Sequence, residues 1–392
     1  MRLFRHQASS TLIDMTVNLE RVSKNEAKRL RAAADRVQIV ERRLGWRRIE
    51  GGVVSSGRQS SGIFKDGKIL PGTHLYRGCG GQFLSSDVHC DVIDEDVVFL
   101  GVFHRCWGHC ITDCLKHLWF VLGGLPNEFS GMRMVYCTYD CQEELPDNLF
   151  EMLSFLGIEL NSAMRIDQPT RFRSVIIPDE CFYVPESEDT LFRYMTPEFG
   201  LLIERLIDAV GVDRSGRPHR RVFFSTTHFH FWDYGAEDFD VAFNNAGYEV
   251  VFPERLHFAE MVRLLNETSI FASLDGSCAH NSIFLRKESQ LIIVRKSREI
   301  FWHQHDINLL RNLSVTYVDA FIYASILLYE PNAPKRGPFF VWINSKMADV
   351  LGCKPTLPVL NIIKFLCWGI TLHFGHKYGE WRRNRARHIS MR

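Results

Sequence analysis

SLDGSCAHNSIF, residues 273 to 284, ends an apolar run at a turn of small residues and continues into an apolar segment that carries a histidine and an asparagine. The run SIFASL before the turn predicts a buried strand, and AHNSIFL after it predicts a helix. Gly276 allows a ligand to approach the backbone, and Ser277 can cap a helix whose N-terminus would suit a phosphate. His280 and Asn281 follow one turn later, where they could hydrogen-bond a ribose or a pyrophosphate. The alternative is an ordinary turn between a strand and a helix.

Strand-like and helix-like segments alternate along most of the chain. The clearest strands of a first series are DVVFLGVF (96–103), MRMVYC (132–137) and RSVIIP (173–178). A second series comprises RVFFST (221–226), YEVVFP (248–253), SIFASL (269–274) and QLIIVR (290–295). Strands of this second series recur about every 20 to 25 residues, as in βα units. The alternation predicts an α/β fold with two mainly parallel sheets, whose ligands would bind at the carboxyl ends of the strands.

The same pattern divides the chain into four predicted regions. A helical N-terminal extension covers residues 1–60, and a first α/β domain covers residues 61–200. A second α/β domain covers residues 201–330, and a helical, basic tail covers residues 331–392. The boundary between the α/β domains is expected near residues 197–217.

The segment FHRCWGHCITDCLKHLWFVL, residues 103–122, predicts a largely buried helix from Trp107 to Leu122. His109, Asp113 and His117 are spaced four residues apart, so they would form one stripe on that helix. Buried titratable groups are costly unless paired, and they cluster at functional sites. A carboxylate beside an imidazole can fix its tautomer and raise its basicity, as general-base catalysis requires. The alternative is a satisfied structural pair.

Two groups of residues have spacings that suggest a metal site, and we predict none. Cys106, Cys110 and Cys114 recur every fourth residue, but on a helix the first and third lie about 12 Å apart, too far to share one zinc ion. His228 and His230 would point the same way in an extended segment, yet no third ligand is identifiable. Packing explains both groups better.

Composition indicates a soluble globular enzyme rather than a nucleic-acid-binding protein. The 392 residues are 46% hydrophobic and 24% charged, and the formal net charge is only +1. A balanced charge gives no reason to expect nucleic acid as a partner. The chain opens without an apolar signal segment, so the eleven cysteines are interpreted as reduced thiols of a cytoplasmic protein.

The segment VLNIIKFLCWGITLHF, residues 359–374, is shorter than the roughly 20 residues that a membrane-spanning helix needs, and Lys364 interrupts it. A buried terminal helix is therefore expected. The basic sequence that follows, KYGEWRRNRARHISMR, leaves open a peripheral contact with the inner face of the membrane.

Three segments together resemble glycosyltransferase family 61, which includes capsule and exopolysaccharide enzymes and eukaryotic glycan-modifying relatives. They are WGHCITDCLKHLW (107–119), NNAGYEVVFPERLHFAEMVRLLNETSIFASLDGSCAHNSIF (244–284) and DINLLRNLSVTYVDAF (306–321). The resemblance rests on a Gly-His helix with a following Asp, a Gly-aromatic strand ending in Pro-Glu, and a Gly-Ser turn with His-Asn. Their order and spacing are more specific than any one of them.

This resemblance implies a GT-B arrangement, with two Rossmann-like domains facing a cleft. The first domain would bind a glycan or lipid-linked glycan acceptor, and the second a nucleotide-sugar donor. Transfer would invert the anomeric carbon without an essential metal or other cofactor, in the biosynthesis of a surface polysaccharide such as a capsule. The alternative is a non-catalytic glycan-binding or partner-binding protein on a degenerate glycosyltransferase fold.

We assign predicted roles to ten residues on these grounds. His109 is the expected base, oriented by Asp113, with His104 as the alternative base at the end of the preceding strand. The expected donor-binding residues are Ser225, Glu254, Gly276, Ser277, His280, Asn281 and Arg295.

The sequence also departs from the family pattern at three positions. Ser225-Thr226 stands where the family commonly has Ser-Arg, so the usual phosphate-binding arginine is missing there. Met261 replaces a frequent Gln, and Asp275 replaces a frequent His. Arg221, Arg286 or Arg295 could supply the missing positive charge.

Overall fold

The computed structural model describes residues 16–58, 60–75, 88–183, 193–228, 233–321, 339–357 and 359–367. The strands in this part of the chain are β1 (Val17–Asn18), β2 (Val37–Ile39), β3 (Trp46–Glu50), β4 (Val53–Ser55), β5 (Gly62–Lys65), β6 (Lys68–Ile69), β7 (Asp91–Phe103), β8 (Arg133–Thr138), β9 (Met164–Ile166), β10 (Thr170–Pro178), β11 (Phe182–Tyr183), β12 (Arg193–Met195), β13 (Arg220–Phe224), β14 (Asp233–Tyr234), β15 (Glu249–Val251), β16 (Thr268–Leu274), β17 (Gln290–Arg295), β18 (Ser314–Asp319) and β19 (Phe339–Phe340).

The α-helices are α1 (Lys24–Ala34), α2 (Trp107–Cys110), α3 (Asp147–Phe155), α4 (Pro197–Ala209), α5 (Ala236–Asn245), α6 (Phe258–Asn266), α7 (Trp302–Arg311) and α8 (Ser345–Leu351). Short 3-10 helices lie at Asp113–Leu115, Leu118–Val121, Asn127–Phe129, Leu160–Ser162, Pro253–Arg255 and Ala279–Phe284. Residues 359–367 are also helical.

One sheet contains six parallel strands in the order β1, β18, β17, β16, β13, β15. Successive side chains of its strands point to opposite faces, and both faces are buried, as a parallel sheet requires. On β13, Phe224 packs against Phe271 with ring centroids 4.9 Å apart, whereas Phe223 stacks at 4.0 Å on Phe243 of α5. The predicted second α/β series is confirmed as a parallel sheet with helices on its faces.

The strand order reverses direction between β13 and β16. From β13 the chain passes to β15 on one side, and it then crosses back to β16 on the other. The carboxyl ends of these two strands, at Ser225 and Asp275, therefore flank a topological switch point, where open α/β sheets commonly bind ligands.

The other main sheet is mixed, in the order β6, β5, β4, β10, β7, β8, β9, with β3 also paired to β10. The strands β10, β7, β8 and β9 run parallel to one another, whereas β3, β4, β5 and β6 form antiparallel pairs. The parallel half agrees with the predicted first series. Since β7 and β10 are parallel neighbours, His104 after β7 and Asp179 after β10 lie at the same edge of this sheet.

The predicted helical extension at residues 1–60 is wrong. Its described part contains α1, but β1 pairs with β18 of the six-stranded sheet, and β3 and β4 pair with β10 of the mixed sheet. The partners of these short strands lie more than a hundred residues away in the chain, so a local pattern could not reveal the pairing. The segment is an integral part of both sheets.

The two halves of the molecule share one continuous apolar core. Helix α3 packs against α6, where the Glu151 carboxylate accepts hydrogen bonds from the backbone N–H groups of Phe258 (2.9 Å) and Ala259 (3.2 Å). These N–H groups have no partner within their own helix, so the carboxylate satisfies them and complements the helix dipole. The contact fixes the halves next to each other.

The C-terminal region agrees in part with the prediction of a helical tail. The expectation of a buried terminal helix is wrong for residues 359–367, where Phe365 alone is buried and Val359, Leu360, Ile363 and Leu366 are exposed. Residues 359–367 form a helix that docks through Phe365, whose ring lies 5.9 Å from Tyr234 and 5.5 Å from Phe340. The remainder of the predicted helix and the basic sequence after it lie outside the described residues. Among the residues that are described, we find no helix with the length and hydropathy needed to span a bilayer.

Candidate active site

The predicted helix from Trp107 to Leu122 is wrong as a continuous element. Helix α2 covers only Trp107–Cys110, and two 3-10 helices follow it. Thr112 interrupts the helix with φ −127° and ψ −103°, and its hydroxyl lies 2.6 Å from the Gly108 carbonyl oxygen. Beyond this break the side chains no longer follow the α-helical period.

The predicted stripe of three residues is therefore reduced to two. His117 faces away from the other members, and its Nε2 lies 3.1 Å from the Gly72 carbonyl oxygen. Burial and the neighbouring Lys116 lower the pKa of His117 to about 3. His117 is thus a neutral histidine of the core.

His109 and Asp113 form the expected pair. His109 Nδ1 lies 2.9 Å from Asp113 Oδ1 and 3.1 Å from Oδ2, and the side chains are 21% and 0% exposed, respectively. Burial alone would lower the pKa of His109, but the charge and hydrogen bond of Asp113 outweigh it and raise that pKa. Because the ionised carboxylate only accepts hydrogen bonds, the imidazole proton resides on Nδ1 and the lone pair on Nε2.

His104, the alternative base, lies beside this pair. Its ring stacks on His109 with centroids 5.3 Å apart, and on Tyr139 at 4.8 Å. His104 Nδ1 bonds to Glu143, which also accepts the Arg105 backbone N–H at 2.8 Å. Burial would raise the pKa of Glu143, yet these hydrogen bonds lower it, so a second carboxylate–imidazole pair adjoins the first.

A third histidine, His303 on α7, completes the cluster and was not predicted. Its Nε2 lies 3.8 Å from Asp113 Oδ1, and its Nδ1 lies 2.9 Å from Nη2 of Arg193. His303 Nδ1 also lies 3.4 Å from Asp306 Oδ2, but the contact with Arg193 is the shorter one. An arginine N–H can only donate, so His303 Nδ1 accepts from Arg193 and the ring proton resides on Nε2, toward Asp113. Arg193 is held in turn by a bidentate ion pair with the buried Asp306.

His109, Asp113 and His303 could also hold a metal ion, since their ligand atoms lie within 4.8 Å of one another. Two imidazoles and a carboxylate are a common ligand set for divalent transition metals. However, the hydrogen bond from Arg193 places the His303 proton on Nε2, the atom that would have to bind the ion. The arrangement therefore suits a hydrogen-bonded network better than a metal centre.

The turn after β16 has the predicted glycine but not the predicted α-helix. Gly276 adopts φ +131°, a conformation that residues with a β-carbon rarely adopt. The next element is a six-residue 3-10 helix, Ala279–Phe284. The expected α-helix is therefore wrong, and so short an element contributes little dipole to a phosphate site, which stays a prediction for the turn. A ligand contact here would involve the turn itself.

The turn lies directly against α2 of the other half. Trp107 Nε1 donates to Asn281 Oδ1 at 2.8 Å, and Cys106 Sγ lies 3.6 Å from Ser277 Oγ. A β-carbon at Gly108 would lie 2.8 Å from both Ser277 Oγ and His280 Nδ1, so only glycine fits there. The two sequence motifs thus meet across the contact between the two sheets.

His280 lies at this contact, 5% exposed, with its ring centroid 6.0 Å from that of His303. Neither of its ring nitrogens has a hydrogen-bond partner among the described residues. Burial, together with His303 and His109, lowers the pKa of His280 to about 3, so the ring is neutral. A buried polar group without a partner is rare, and it marks a place where a polar ligand atom could bind.

Two predicted donor-binding residues already have other partners. The buried Ser225 hydroxyl donates to Asp240 at 3.0 Å and lies 2.8 Å from the Thr227 hydroxyl. Glu254, in the 3-10 helix after β15, pairs with His228 at 3.1 Å near the surface. His230, the other half of the metal pair considered from the sequence, lies outside the described residues.

Arg295 also forms ion pairs with other residues. Its guanidinium is 0% exposed and pairs with Glu26 at 2.9 Å and Asp319 at 2.7 Å. Arg221 donates to the Ala246 carbonyl, and Arg286 donates to the Gly216 carbonyl. Arg221 and Arg286 thus bond to backbone carbonyls outside the Gly276 turn, whereas the charge of Arg295 acts on Asp275 within that turn.

Lys296, directly after β17, supplies a buried cation that was not among the predicted site residues. A β-carbon at Gly276 would lie 4.0 Å from Lys296 Nζ, which pairs with Asp233 at 3.0 Å. Burial raises the pKa of Asp275, in the same turn, to about 7. The turn therefore lies close to the cations Lys296 and Arg295, and it carries a carboxyl group that readily becomes neutral.

One feature of the sequence could have indicated His303 and Asp306, which the sequence analysis did not predict as site residues. The segment WHQHD, residues 302–306, concentrates His303, His305 and Asp306 at the start of a helix with an apolar continuation. Such a concentration of titratable groups in a buried helix could have been noted. Nothing in the local sequence connects it to Arg193 or to Asp113.

Comparisons with known proteins support the family resemblance. The family model described as Glycosyltransferase 61 matches residues 107–292, and the chain matches none of the curated proteins. Among solved structures, the bacterial iron-containing dodecameric glycosyltransferase TibC from enterotoxigenic E. coli H10407 is similar at 9% identity and a TM-score of 0.26, over 66% of this chain and 78% of that chain. The dodecameric iron-containing heptosyltransferase TibC in complex with ADP-D-beta-D-heptose is similar at 10% identity and a TM-score of 0.23, over 72% and 68%. Similarities of this size support no inference about ligand, metal or assembly.

Proposed function

Residues 107–292 belong to glycosyltransferase family 61, and on that premise we propose that the protein transfers a sugar from a nucleotide-sugar donor to a hydroxyl group of a glycan, with inversion at the anomeric carbon. One observation carries the proposal. His109 lies on α2, which packs directly against the Ser277–Asn281 turn of the other half, and it pairs with Asp113 at the start of the next 3-10 helix. A base and a candidate donor-binding turn thus adjoin each other at the contact between the sheets.

The proposed chemistry is a single displacement. The acceptor oxygen forms a bond to the anomeric carbon while the bond from that carbon to the diphosphate oxygen breaks, and the diphosphate departs with the electron pair. The hydroxyl proton passes to Nε2 of His109, and Asp113 stabilises the imidazolium that forms. No metal ion or other cofactor takes part in this scheme.

The donor would be held at the switch point of the six-stranded sheet, as in a GT-B arrangement. Backbone N–H groups of Gly276 and Ser277, together with the Ser277 hydroxyl, would bind the diphosphate, and Lys296 would offset its charge in place of the missing arginine. His280 would contact the donor from the 3-10 helix, whereas Asn281, whose amide bonds to Trp107 and to the Cys278 carbonyl, would hold the turn against α2. The resemblance to capsule-type enzymes suggests a surface polysaccharide as the product.

We expect Ser277→Ala and His280→Ala to weaken the binding of the preferred nucleoside diphosphate by roughly 2- to 10-fold each, because each removes about one hydrogen bond. Calorimetry with a panel of nucleoside diphosphates measures this. Ser269→Ala is the matched control, since it removes a hydroxyl from the amino end of the same strand, where the group donates to the Arg220 carbonyl.

Turnover of a panel of nucleotide sugars tests the activity itself. Neither hydrolysis nor transfer with any donor, together with no nucleoside diphosphate binding, would contradict the proposal. That outcome would favour the alternative of a non-catalytic glycan-binding or partner-binding protein on the same fold. The loss of the Ser-Arg motif at Ser225-Thr226 is the observation that favours this alternative.

We also propose that the protein attaches peripherally to the cytoplasmic face of a membrane, where lipid-linked acceptors lie. The helix at 359–367 docks through Phe365, yet it exposes Val359, Leu360, Ile363 and Leu366. The sequence that follows, residues 377–392, carries six Lys and Arg residues against one Glu. An exposed apolar face beside a cationic segment is typical of helices that lie on anionic membranes.

The double variant Leu360→Glu, Ile363→Glu should bind vesicles of phosphatidylcholine and phosphatidylglycerol at least about tenfold more weakly, because two apolar side chains no longer enter the interface. Flotation with vesicles measures the change. Leu201→Glu, which alters another exposed leucine on α4, should have no effect. Unchanged vesicle binding after removal of residues 359–392 would exclude this mode of attachment.

A further inference from the structure

A cavity of about 570 Å³ lies at the edge of the mixed sheet, outside the cluster described above. Two indole rings, one phenyl ring and three charged side chains dominate its wall, from Trp46, Trp119, Phe120, Arg43, Glu128 and Asp179. Its volume lies within the range of small-ligand sites in proteins.

The aromatic side chains of this cavity are fixed before any ligand arrives. Trp46 is 41% exposed, and its ring meets Phe129 edge to face at 4.9 Å. Trp119 Nε1 donates to the Asp179 carbonyl oxygen at 2.7 Å, and its ring contacts Phe120 at 5.6 Å. A tryptophan this exposed yet held in place can bind a ligand at little further cost in conformational entropy.

The polar groups of the cavity limit the class of ligand. Asp179 Oδ2 accepts the Gly45 backbone N–H at 2.9 Å, which orients its carboxylate, whereas Arg43 and Glu128 are exposed at the rim. With one cation and two anions the lining has a net charge of −1, which disfavours a phosphate or another anion. The charges also disfavour a purely apolar ligand, because burial beneath it would desolvate them.

A neutral sugar fits both features. Its C–H faces are weakly positive and can stack on the negative faces of indole rings, while its hydroxyl groups can hydrogen-bond to carboxylates and guanidinium groups. The position of the cavity relative to the histidine cluster also suits a glycan acceptor. Asp179 follows β10 and His104 follows β7, so the cavity and the histidine cluster lie at the same edge of one sheet. The segment from α2 to Val121 joins His109 to Trp119 directly.

We propose that this cavity is an acceptor subsite, which binds a neutral sugar unit of the glycan chain at a distance from the hydroxyl that reacts. The assignment to an acceptor rests on the proposed function, whereas the assignment to a neutral carbohydrate rests on the cavity alone. The subsite would retain the growing chain while its end is positioned beside His109.

The test uses the full-length protein and four probes, namely maltotetraose, cellotetraose, xylotetraose and chitotetraose. Titration followed by tryptophan fluorescence and calorimetry should detect binding of at least one of them. We expect Trp46→Ala and Trp119→Ala to weaken that binding about tenfold, and Trp46→Phe to restore part of it, since a smaller aromatic face remains. His109→Ala should bind the probe as the wild type does, and UDP should not compete.

Three results would overturn the assignment: no binding of any of the four probes, unchanged binding by folded Trp46→Ala and Trp119→Ala, or competition by UDP. The thermal midpoint of each variant checks folding, and Trp46→Ala is the more informative variant because Trp46 is the more exposed ring. Sugar binding without transfer of any sugar would contradict the proposed function and leave the carbohydrate site in place. Full transfer activity in both tryptophan variants would contradict the assignment of the cavity to the acceptor and leave the proposed function in place.

Discussion

Replacement of His109 by alanine should lower turnover by about 10² to 10⁴-fold while the binding of a nucleoside diphosphate remains unchanged. The loss is large because the acceptor proton would then have no positioned base, whereas the Gly276 turn is untouched. Initial rates and calorimetry on the same preparation separate the two effects. His89→Ala is the matched control, because the His89 side chain is almost fully exposed and lies outside the cluster.

The pH dependence of turnover should follow the same residue. The base acts when neutral, so the rate should rise with pH through the pKa of His109, which Asp113 raises above the ordinary value of 6.5. Asp113→Asn removes the charge that raises this pKa, so the acid limb of the profile should move to lower pH while the maximal rate falls. The raised pKa also means that protonated His109 stabilises the fold below pH 6.5, and that this contribution is lost as pH rises through the raised pKa.

Normal turnover by a folded His109→Ala protein would show that the base assignment is wrong and that the pair is structural. In that case His104→Ala should produce the loss instead, because its ring stacks on His109 and is the alternative base. If neither His109→Ala nor His104→Ala lowers turnover, the catalytic base lies outside this cluster.

Replacement of Arg193 by leucine should destabilise the protein by about 3 to 5 kcal/mol, because it leaves the Asp306 carboxylate buried without its partner. Equilibrium unfolding in urea measures the free energy. Arg214→Leu is the control, since Arg214 pairs with Glu204 where both side chains are partly exposed to solvent, and its effect should be much smaller.

A double variant tests whether the lost stability comes from the Arg193–Asp306 charge pair. Arg193→Leu with Asp306→Leu removes both charges, so it should recover much of the stability that the single variant loses. Burial would raise the pKa of Asp306, but the charge and hydrogen bonds of Arg193 outweigh it and lower that pKa, so the contribution of Asp306 to stability is present above the unfolded pKa and lost as pH falls through the lowered value. The deficit of Arg193→Leu should therefore shrink in acid. A deficit that is equal at all pH values, and is not recovered by the double variant, would contradict a charge-pair origin.

The strands of the second series were predictable because their signal is local. Residues 290–295 form β17 as expected, and β16 and β13 begin one residue earlier than their predicted segments. A strand buried on both faces must be apolar along its whole length, whatever its neighbours are. Helix α6, at Phe258–Asn266, has an equally local signal, since one apolar face repeats at the helical period.

The helix expected at residues 107–122 shows the limit of such signals. The apolar residues there satisfy the helical pattern, but they are buried on all sides and constrain no single conformation. The backbone instead breaks at Thr112, whose hydroxyl contacts both the Gly108 carbonyl and the Asp113 carboxylate. A competing side-chain interaction of this kind overrides propensity only in the folded environment.

By itself the sequence determined the buried strands after residue 217, the glycine turn after β16 and the His109–Asp113 pair, because each depends on residues within one strand or one helical turn of each other. Only the tertiary structure decided that Gly108 meets His280, that β1 joins a sheet formed from the far end of the chain, and that Arg193 orients His303 toward Asp113. Those contacts join residues more than a hundred positions apart. They form only when both sheets and the helices between them pack into one core, a condition that no local pattern of residues encodes.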